Sequence, residues 1–341
     1  MKTEAIFLVK KGKAENAFEK RELILPELKS TQYLVEVEAF GLNYADVMAR
    51  LGLYREAPPF PCVIGYEVVG KIISTGSDGN KENIGKRVVA FCRFGGYSKH
   101  AIVEEFAFVP INEMDAGEAL CLSTQWVTAH YMVERAANVQ AGDKVLIHAA
   151  AGGVGTALIQ LCKRKGATVI AKIGNENKKA LVEKLGANHT IVYTKTPYDE
   201  AINSLLGQDR LDVSFNPVAG STFKKDWKLL GTGGRAILFG GSELSSKKWG
   251  IFSAINFVLK MGRPLPIGLM MRSKSISGVN MLKIADYKPH VLAQCLQEVY
   301  TIVTTENLIP IVGATFTADK IVEAHSLLES GSSSGKICVK W

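Results

Sequence analysis

Residues 147–161 read IHAAAGGVGTALIQL. Two apolar runs enclose three alanines and three glycines, so the main chain there is nearly bare of side chains, and its neighbours decide what that bareness is for. Upstream, DKVLIHAA (143–150) is a short apolar run of strand character, and downstream GTALIQLCKRKG (155–166) has helical periodicity and stops on a glycine. A strand, a small-residue turn and a helix form the context in which a glycine-rich match carries meaning. Set against G-x-G-x-x-G, the turn is Ala150-Ala151-Gly152-Gly153-Val154-Gly155, with alanine in the first glycine place. Small residues let a pyrophosphate approach the backbone, N–H groups at the helix start bind it, and Gly155 lets helix and strand lie close. The expectation is a dinucleotide site, with a merely close-packed turn as the alternative.

Working outward, the alternation continues. TVIAKI (168–173), HTIVY (189–193), LDVSF (211–215) and RAILFGG (235–241) read as strands. KKALVEKLG (178–186), EAINSLLG (200–207) and TFKKDWKLLG (222–231) read as the helices between them, and SKSISGV (273–279) as a last strand. Repeated βαβ units predict a doubly wound parallel sheet, a Rossmann domain over 126–280. Residues 1–125 have another rhythm: YLVEVEAFGLN (33–43) alternates with period two, and EVVGKIIST, KRVVAF and HAIVEE are β-branched runs between breakers. That predicts a mainly antiparallel, barrel-like domain. A helix at 290–308 and a strand at 336–341 are expected to return residues 281–341 to it.

Composition narrows the function classes. With 341 residues, 47% hydrophobic and 22% charged, the chain has room for two cored domains. Its net charge of +8 favours anionic partners without choosing among nucleotides, acidic membranes and nucleic acid. Interleaved aromatic and basic residues are missing, so nucleic acid ranks low. The six cysteines include no C-x-x-C pair, which points to reduced thiols and a cytoplasmic setting. No run reaches the ~18 apolar residues of a membrane span. Residues 247–274 (KKWGIFSAINFVLKMGRPLPIGLMMRSK) have basic ends, Trp249 and an apolar middle. Three readings stay open for them: a pocket lid, a dimer contact or an interfacial membrane segment.

Cofactor choice turns on the strand ATVIAKIGNENKK (167–179). NAD-binding folds carry an acid about 20 residues after the glycines, on the ribose hydroxyls. Here Lys172 stands at the strand end, Gly174 follows, and Lys178 and Lys179 come next. That charge suits a 2′-phosphate and predicts NADP(H), although lysines at a helix start are also common on solvated faces.

Together GLNYADVMARLGLY (41–54), PCVIGYEVVGKI (61–72), HAAAGGVGTALIQL (148–161), EKLGANHTIVY (183–193), FNPVAG (215–220) and GRAILFGG (234–241) resemble the zinc-independent quinone oxidoreductase group of the medium-chain dehydrogenase/reductases. Within the group, the chain looks closest to the vesicle amine transport protein branch. The resemblance spans nearly the whole chain and implies a GroES-like first domain. Zinc-dependent relatives place a Cys and a His where this chain has Asn43 with Asp46 and the triplet Gly65-Tyr66-Glu67. The resemblance therefore implies no metal site and a reaction that hands hydride to an already electrophilic quinone or enone. It implies Asn43, Tyr54 and Tyr66 on the substrate side, with Asp46 as a turn or helix-cap acceptor. Cofactor contacts are implied at Gln125, Thr128, Ala151, Gly152, Gly153, Val154, Gly155, Gly174, Lys178, Tyr193, Asn216, Val218, Phe239 and Gly240. Lys336 matches a Gly-Lys pair near the family's C-terminus, either at the cofactor or in a flexible surface loop. A homodimer is implied as well, and a membrane-docking or lipid-handling role with a retained nucleotide site is the alternative function.

Overall fold

A computed structural model of the protein describes residues 1–244, 250–262 and 264–341, with only the backbone of 250–254. In chain order the first elements are β1 (Lys2–Leu8), β2 (Phe18–Ile24), β3 (Gln32–Leu42), α1 (Tyr44–Arg50), β4 (Glu67–Thr75), β5 (Arg87–Phe91), β6 (His100–Glu104), β7 (Phe108–Pro110), α2 (Ala116–Cys121) and α3 (Val127–Tyr131). Next come β8 (Lys144–Ile147), α4 (Gly153–Arg164), β9 (Thr168–Ile173), α5 (Lys179–Lys184), β10 (His189–Val192), α6 (Tyr198–Leu206), β11 (Leu211–Asn216), α7 (Ser221–Leu229) and β12 (Leu230–Leu238). The chain ends with α8 (Gly250–Met261), α9 (Pro266–Arg272), β13 (Ser275–Gly278), α10 (Met281–Tyr287), α11 (Pro289–Thr305), β14 (Val312–Thr317), α12 (Ile321–Glu329) and β15 (Lys336–Lys340). Two compact units result, 1–127 with 281–341, and 128–280.

In the first unit, β1 and β2 form a hairpin, and a seven-stranded sheet runs β14-β15-β3-β4-β5-β7 with β6 also on β3. The long strand β3 organises it. One edge pairs with β4, and the other pairs first with β6 and then with β15. Register shifts between Leu34 and Val35 and between Val37 and Ala39 accompany this change of partner, because bulges bend a strand. The end strands β14 and β7 are not paired with each other, so the expected barrel-like domain is an open sheet and not a closed barrel. Ile6, Leu8, Phe40, Val68, Tyr97 and Ile337 are core residues of this unit.

The second unit is a six-stranded parallel sheet, β10-β9-β8-β11-β12-β13. Strand order reverses between β8 and β11, and at such a switch point the loops at the carboxyl ends part and leave room for a ligand. Strands β8 and β9 are buried on both faces, which is why they read as unbroken apolar runs. Gly166 and Gly186 have positive φ (78° and 109°) just past the helices they end.

Two stretches read differently in the structure. The segment 247–274 contains α8 and α9, while Lys247, Lys248, Trp249 and the Phe252 side chain lie outside the described residues. Residues 312–329, left without elements by the sequence patterns, form β14 and α12. Among the described residues no helix is long and apolar enough to cross a membrane.

Candidate functional site

The glycine-rich turn leaves β8 at Ile147 and enters α4 through Gly152, which caps the helix in extended conformation. Ala149 takes a positive φ of 49°, and Gly152 N–H donates to Ala149 O at 2.8 Å, which closes the turn tightly. A Cβ at Gly155 would stand 2.4 Å from Ala149 O and 2.6 Å from Ala150 O, so only glycine allows this approach of helix to turn. Ala151 is buried, whereas Gly152, Gly153 and Val154 are half-buried. The N–H groups of a first helical turn have no intrahelical acceptor, so this corner offers donors to an anion.

At the end of β9, Gly174 lies against Tyr193: a Cβ on Gly174 would meet the Tyr193 hydroxyl at 3.0 Å. Tyr193 is 50% exposed, and Lys178 is half-buried in the turn that leads into α5, its ammonium pKa lowered by desolvation. Lys172 departs from the sequence expectation. It is buried, not displayed at the strand end, because β9 is covered on both faces and has no solvent side. Its Nζ lies 3.2 Å from His148 Nδ1 and 4.5 Å and 4.4 Å from the Tyr193 and Tyr198 ring centres.

Beneath the turn is a polar network that sequence reasoning missed. Asp226 on α7 accepts from Ser214 Oγ (2.6 Å), Asn216 Nδ2 (2.6 Å), Tyr198 OH (2.8 Å) and His148 Nε2 (2.9 Å). Burial would raise the Asp226 carboxyl, but His148 and the Ser214 and Tyr198 hydroxyls bring it below its ordinary value. Burial also lowers the His148 imidazole, against the pull of Asp226 and with Lys172 adding to the shift. The consistent state is a carboxylate, a neutral ring protonated at Nε2, and an ammonium donating to Nδ1. Asn216 is thus a buried organiser whose Oδ1 accepts from Val218 N (2.8 Å) and Ala219 N (2.9 Å). Its backbone carbonyl accepts from Phe239 N (3.3 Å), and a Cβ on Gly240 would meet Pro217 O at 2.7 Å, so the loops after β11 and β12 touch.

The first unit has its own buried constellation. Asn43 precedes α1 and shares a capping box with Asp46, whose Oδ2 accepts from Asn43 N at 2.8 Å. The cap reading of Asp46 matches this geometry. Burial pushes its carboxyl up to about 7, and the neighbouring Glu67 carboxylate adds to that. The Asn43 side chain is held at both ends: Nδ2 donates to Glu67 Oε1 (2.9 Å) and Oδ1 accepts from Lys336 Nζ (3.0 Å). Glu67 and Lys336 form a direct ion pair with both side chains fully buried, and Ser123 Oγ donates to Glu67 Oε2 at 3.2 Å. Lys336 therefore opens β15 in the interior; the flexible surface loop is ruled out because its charge is spent on Glu67. A Cβ at Gly41 would fall 2.2 Å from Glu67 Oε1, so glycine there makes room for the pair.

Beside this cluster stand Tyr54 and Tyr66, ring centres 6.1 Å apart and edge to face, with Phe94 packed 5.2 Å from Tyr66. Tyr66 is 4% exposed, and its hydroxyl has no hydrogen-bond partner among the described residues. Burial raises both phenols, Asp46 adding to the shift at Tyr66, so both stay protonated donors. Gln125 is buried with no hydrogen-bond partner for Oε1 among the described residues, and Thr128 is half-buried.

Two family models match the chain: an alcohol dehydrogenase GroES-like domain over residues 29–113 and a zinc-binding dehydrogenase model over 153–298. A zebrafish (Danio rerio) synaptic vesicle membrane protein VAT-1 homolog is 27% identical over 92% of this chain, which spans 64% of that protein's length. Human (Homo sapiens) quinone oxidoreductase is 27% identical over 91% of the chain and 89% of its own. A solved mycobacterial protein complexed with NADPH superimposes with a TM-score of 0.85, covering 99% of this chain and 100% of that one. At 22% identity, that last likeness is one of fold.

Proposed function

The chain belongs to the medium-chain dehydrogenase/reductase family, and from that premise we propose that it is a zinc-independent, NADP(H)-dependent reductase of a quinone or an α,β-unsaturated carbonyl. The observation that carries this reading is the corner at Gly152–Gly155. It combines backbone donors, a glycine that no other residue can replace, and a place at the switch point of a parallel sheet. Ala151, Gly152, Gly153, Val154 and Gly155 would hold the pyrophosphate. Gly174, Lys178 and Tyr193 would hold the adenosine phosphate, and Val218, Phe239 and Gly240 the nicotinamide end, with Asn216 shaping that loop. Gln125 and Thr128 are further proposed contacts.

When bound, NADPH supplies a hydride. The chain's residues supply orientation and hydrogen bonds. The unpartnered Tyr66 phenol donates to the acceptor oxygen as charge builds there, Tyr54 packs beside it, and Asn43 is locked so that it orients without moving. Chemistry at Asn43 speaks against zinc: it offers an amide where a thiolate would be needed, and the Lys336 ammonium 3.0 Å from its oxygen repels a second cation. The proposed protein is a cytoplasmic homodimer whose copies pair through β13, an edge strand with no outer partner among the described residues.

Titration of the purified protein with NADPH and NADH, followed by fluorescence, tests the reading. NADPH should bind more tightly, and Lys178→Glu should weaken NADPH by at least about tenfold while changing NADH little. Failure of both nucleotides to bind sinks it.

One observation favours the second reading, a membrane-docking protein with a retained nucleotide site. Ile255, Val258 and Leu259 on α8, Leu265 before α9, and Ile267, Met270 and Met271 on α9 are all more than half exposed. A patch of this kind marks an interaction surface. Sedimentation with anionic phospholipid vesicles should recover wild type and lose a Leu259→Glu, Met271→Glu variant; equal recovery of both removes the reading.

A further inference from the structure

Lys172 touches both the turn that would carry the pyrophosphate and the tyrosine at the adenosine end. Its carbonyl accepts from Ala150 N at 3.1 Å, and its Nζ lies 4.5 Å from the Tyr193 ring centre. Tyr193 in turn lies across Gly174. A buried ammonium is costly unless opposite charge and oriented groups surround it. Here the Asp226 carboxylate reaches it through His148, and two tyrosine faces flank it. An apolar side chain would fill the same space without that cost.

We infer that Lys172 is a positioning residue for nucleotide selection: its buried ammonium holds Tyr193 against Gly174 and so shapes the pocket for a ribose bearing a 2′-phosphate, without touching the phosphate itself. The inference rests on the NADP(H) reading above. It assigns the preference to two lysines in different roles, Lys178 as a direct contact and Lys172 as the support of the wall.

The clamp should respond to pH. Lys172 faces His148 after β8, Asp226 and Lys225 on α7, Asp199 and Tyr198 on α6, and Tyr193 after β10. Burial brings its ammonium down to about 8, Asp226 resisting and Lys225 adding to the shift. His148 lies below its ordinary value, and Tyr198 above its own. Lys172 is therefore the member that loses its charge just above neutrality, and with the charge goes its hold on the ring.

The test measures NADPH and NADH affinities between pH 6.5 and 9.5 for wild type, Lys172→Met, Tyr193→Leu and the double variant. Wild type should lose NADPH preference through roughly pH 8, by about tenfold at the upper end. Lys172→Met should show the reduced preference at every pH, with NADH affinity within about twofold of wild type. Tyr193→Leu, a change at a half-exposed position, should give the same phenotype even if Lys172→Met folds poorly, and the double variant should add nothing. Wild-type preference in Lys172→Met, whatever Tyr193→Leu does, or losses that add in the double variant, overturns the inference while NADPH binding stands. If wild type binds neither nucleotide, the inference falls together with the reading beneath it.

Discussion

Each unit buries a carboxylate, a lysine and a set of neutral donors, yet the two networks are wired differently. In the first, Glu67 meets Lys336 directly, with Asn43 and Ser123 as its further donors. In the second, Asp226 is satisfied by Ser214, Asn216, Tyr198 and His148, and Lys172 joins only through the far nitrogen of the histidine. The first lysine is the counter-charge of a buried anion. The second is a cation added to an anion that already has its hydrogen bonds, and its side chain reaches a half-exposed tyrosine. Burial alone therefore does not say what a charge is for; the partners it would orphan do.

The sharpest way to break this contrast is to remove each lysine in turn. Lys336→Met leaves the Glu67 carboxylate uncompensated at zero exposure and should cost about 3–5 kcal/mol in urea unfolding. Adding Glu67→Gln should return most of that loss. Lys172→Met leaves all four donors on Asp226 and orphans only the His148 Nδ1 acceptor, so it should cost about 1–2 kcal/mol, clearly less than Lys336→Met. Equal losses from the two lysines would mean that both are structural counter-charges, and the distinction between the networks would go with them.

The same contrast explains what could be read from the chain. The parallel sheet was legible because its strands are buried on both faces and appear as apolar runs between amphipathic helices. The turn at 150–155 was legible because its chemistry is local: Ala149 and Gly155 meet across a few residues. Strand β14, with an alternately exposed pattern and a parallel partner, carried too little apolar signal, and its pairing depends on β15 more than twenty residues on. The networks were hidden for a related reason. His148 and Asp226 are 78 positions apart and Glu67 and Lys336 are 269 apart, and nothing in either neighbourhood announces the other. Lys172 was misplaced because a strand position shows alternation, whereas only the fold shows that neither face meets water.

Tyr66 offers the smallest stability effect and the cleanest view of function. Its hydroxyl is buried with no well-formed hydrogen bond among the described residues, the Tyr54 phenol being its polar neighbour, so it adds little to the fold and carries the cost of lost hydration. Tyr66→Phe should leave unfolding free energy unchanged or raise it by about 1 kcal/mol. The ring keeps its contacts with Tyr54 and Phe94, so the aromatic wall survives. If the phenol donates to the acceptor oxygen as negative charge develops, kcat for a quinone or enone should fall by about a hundredfold, with KM little changed and NADPH affinity intact. Tyr54→Phe, at a less buried ring, should cost less. A Tyr66→Phe protein that turns over like wild type but melts earlier would make the hydroxyl a structural group and move the donor elsewhere in the first unit. Lost turnover at full stability separates a group kept for chemistry from the ion pair between Glu67 and Lys336, which is kept for the fold.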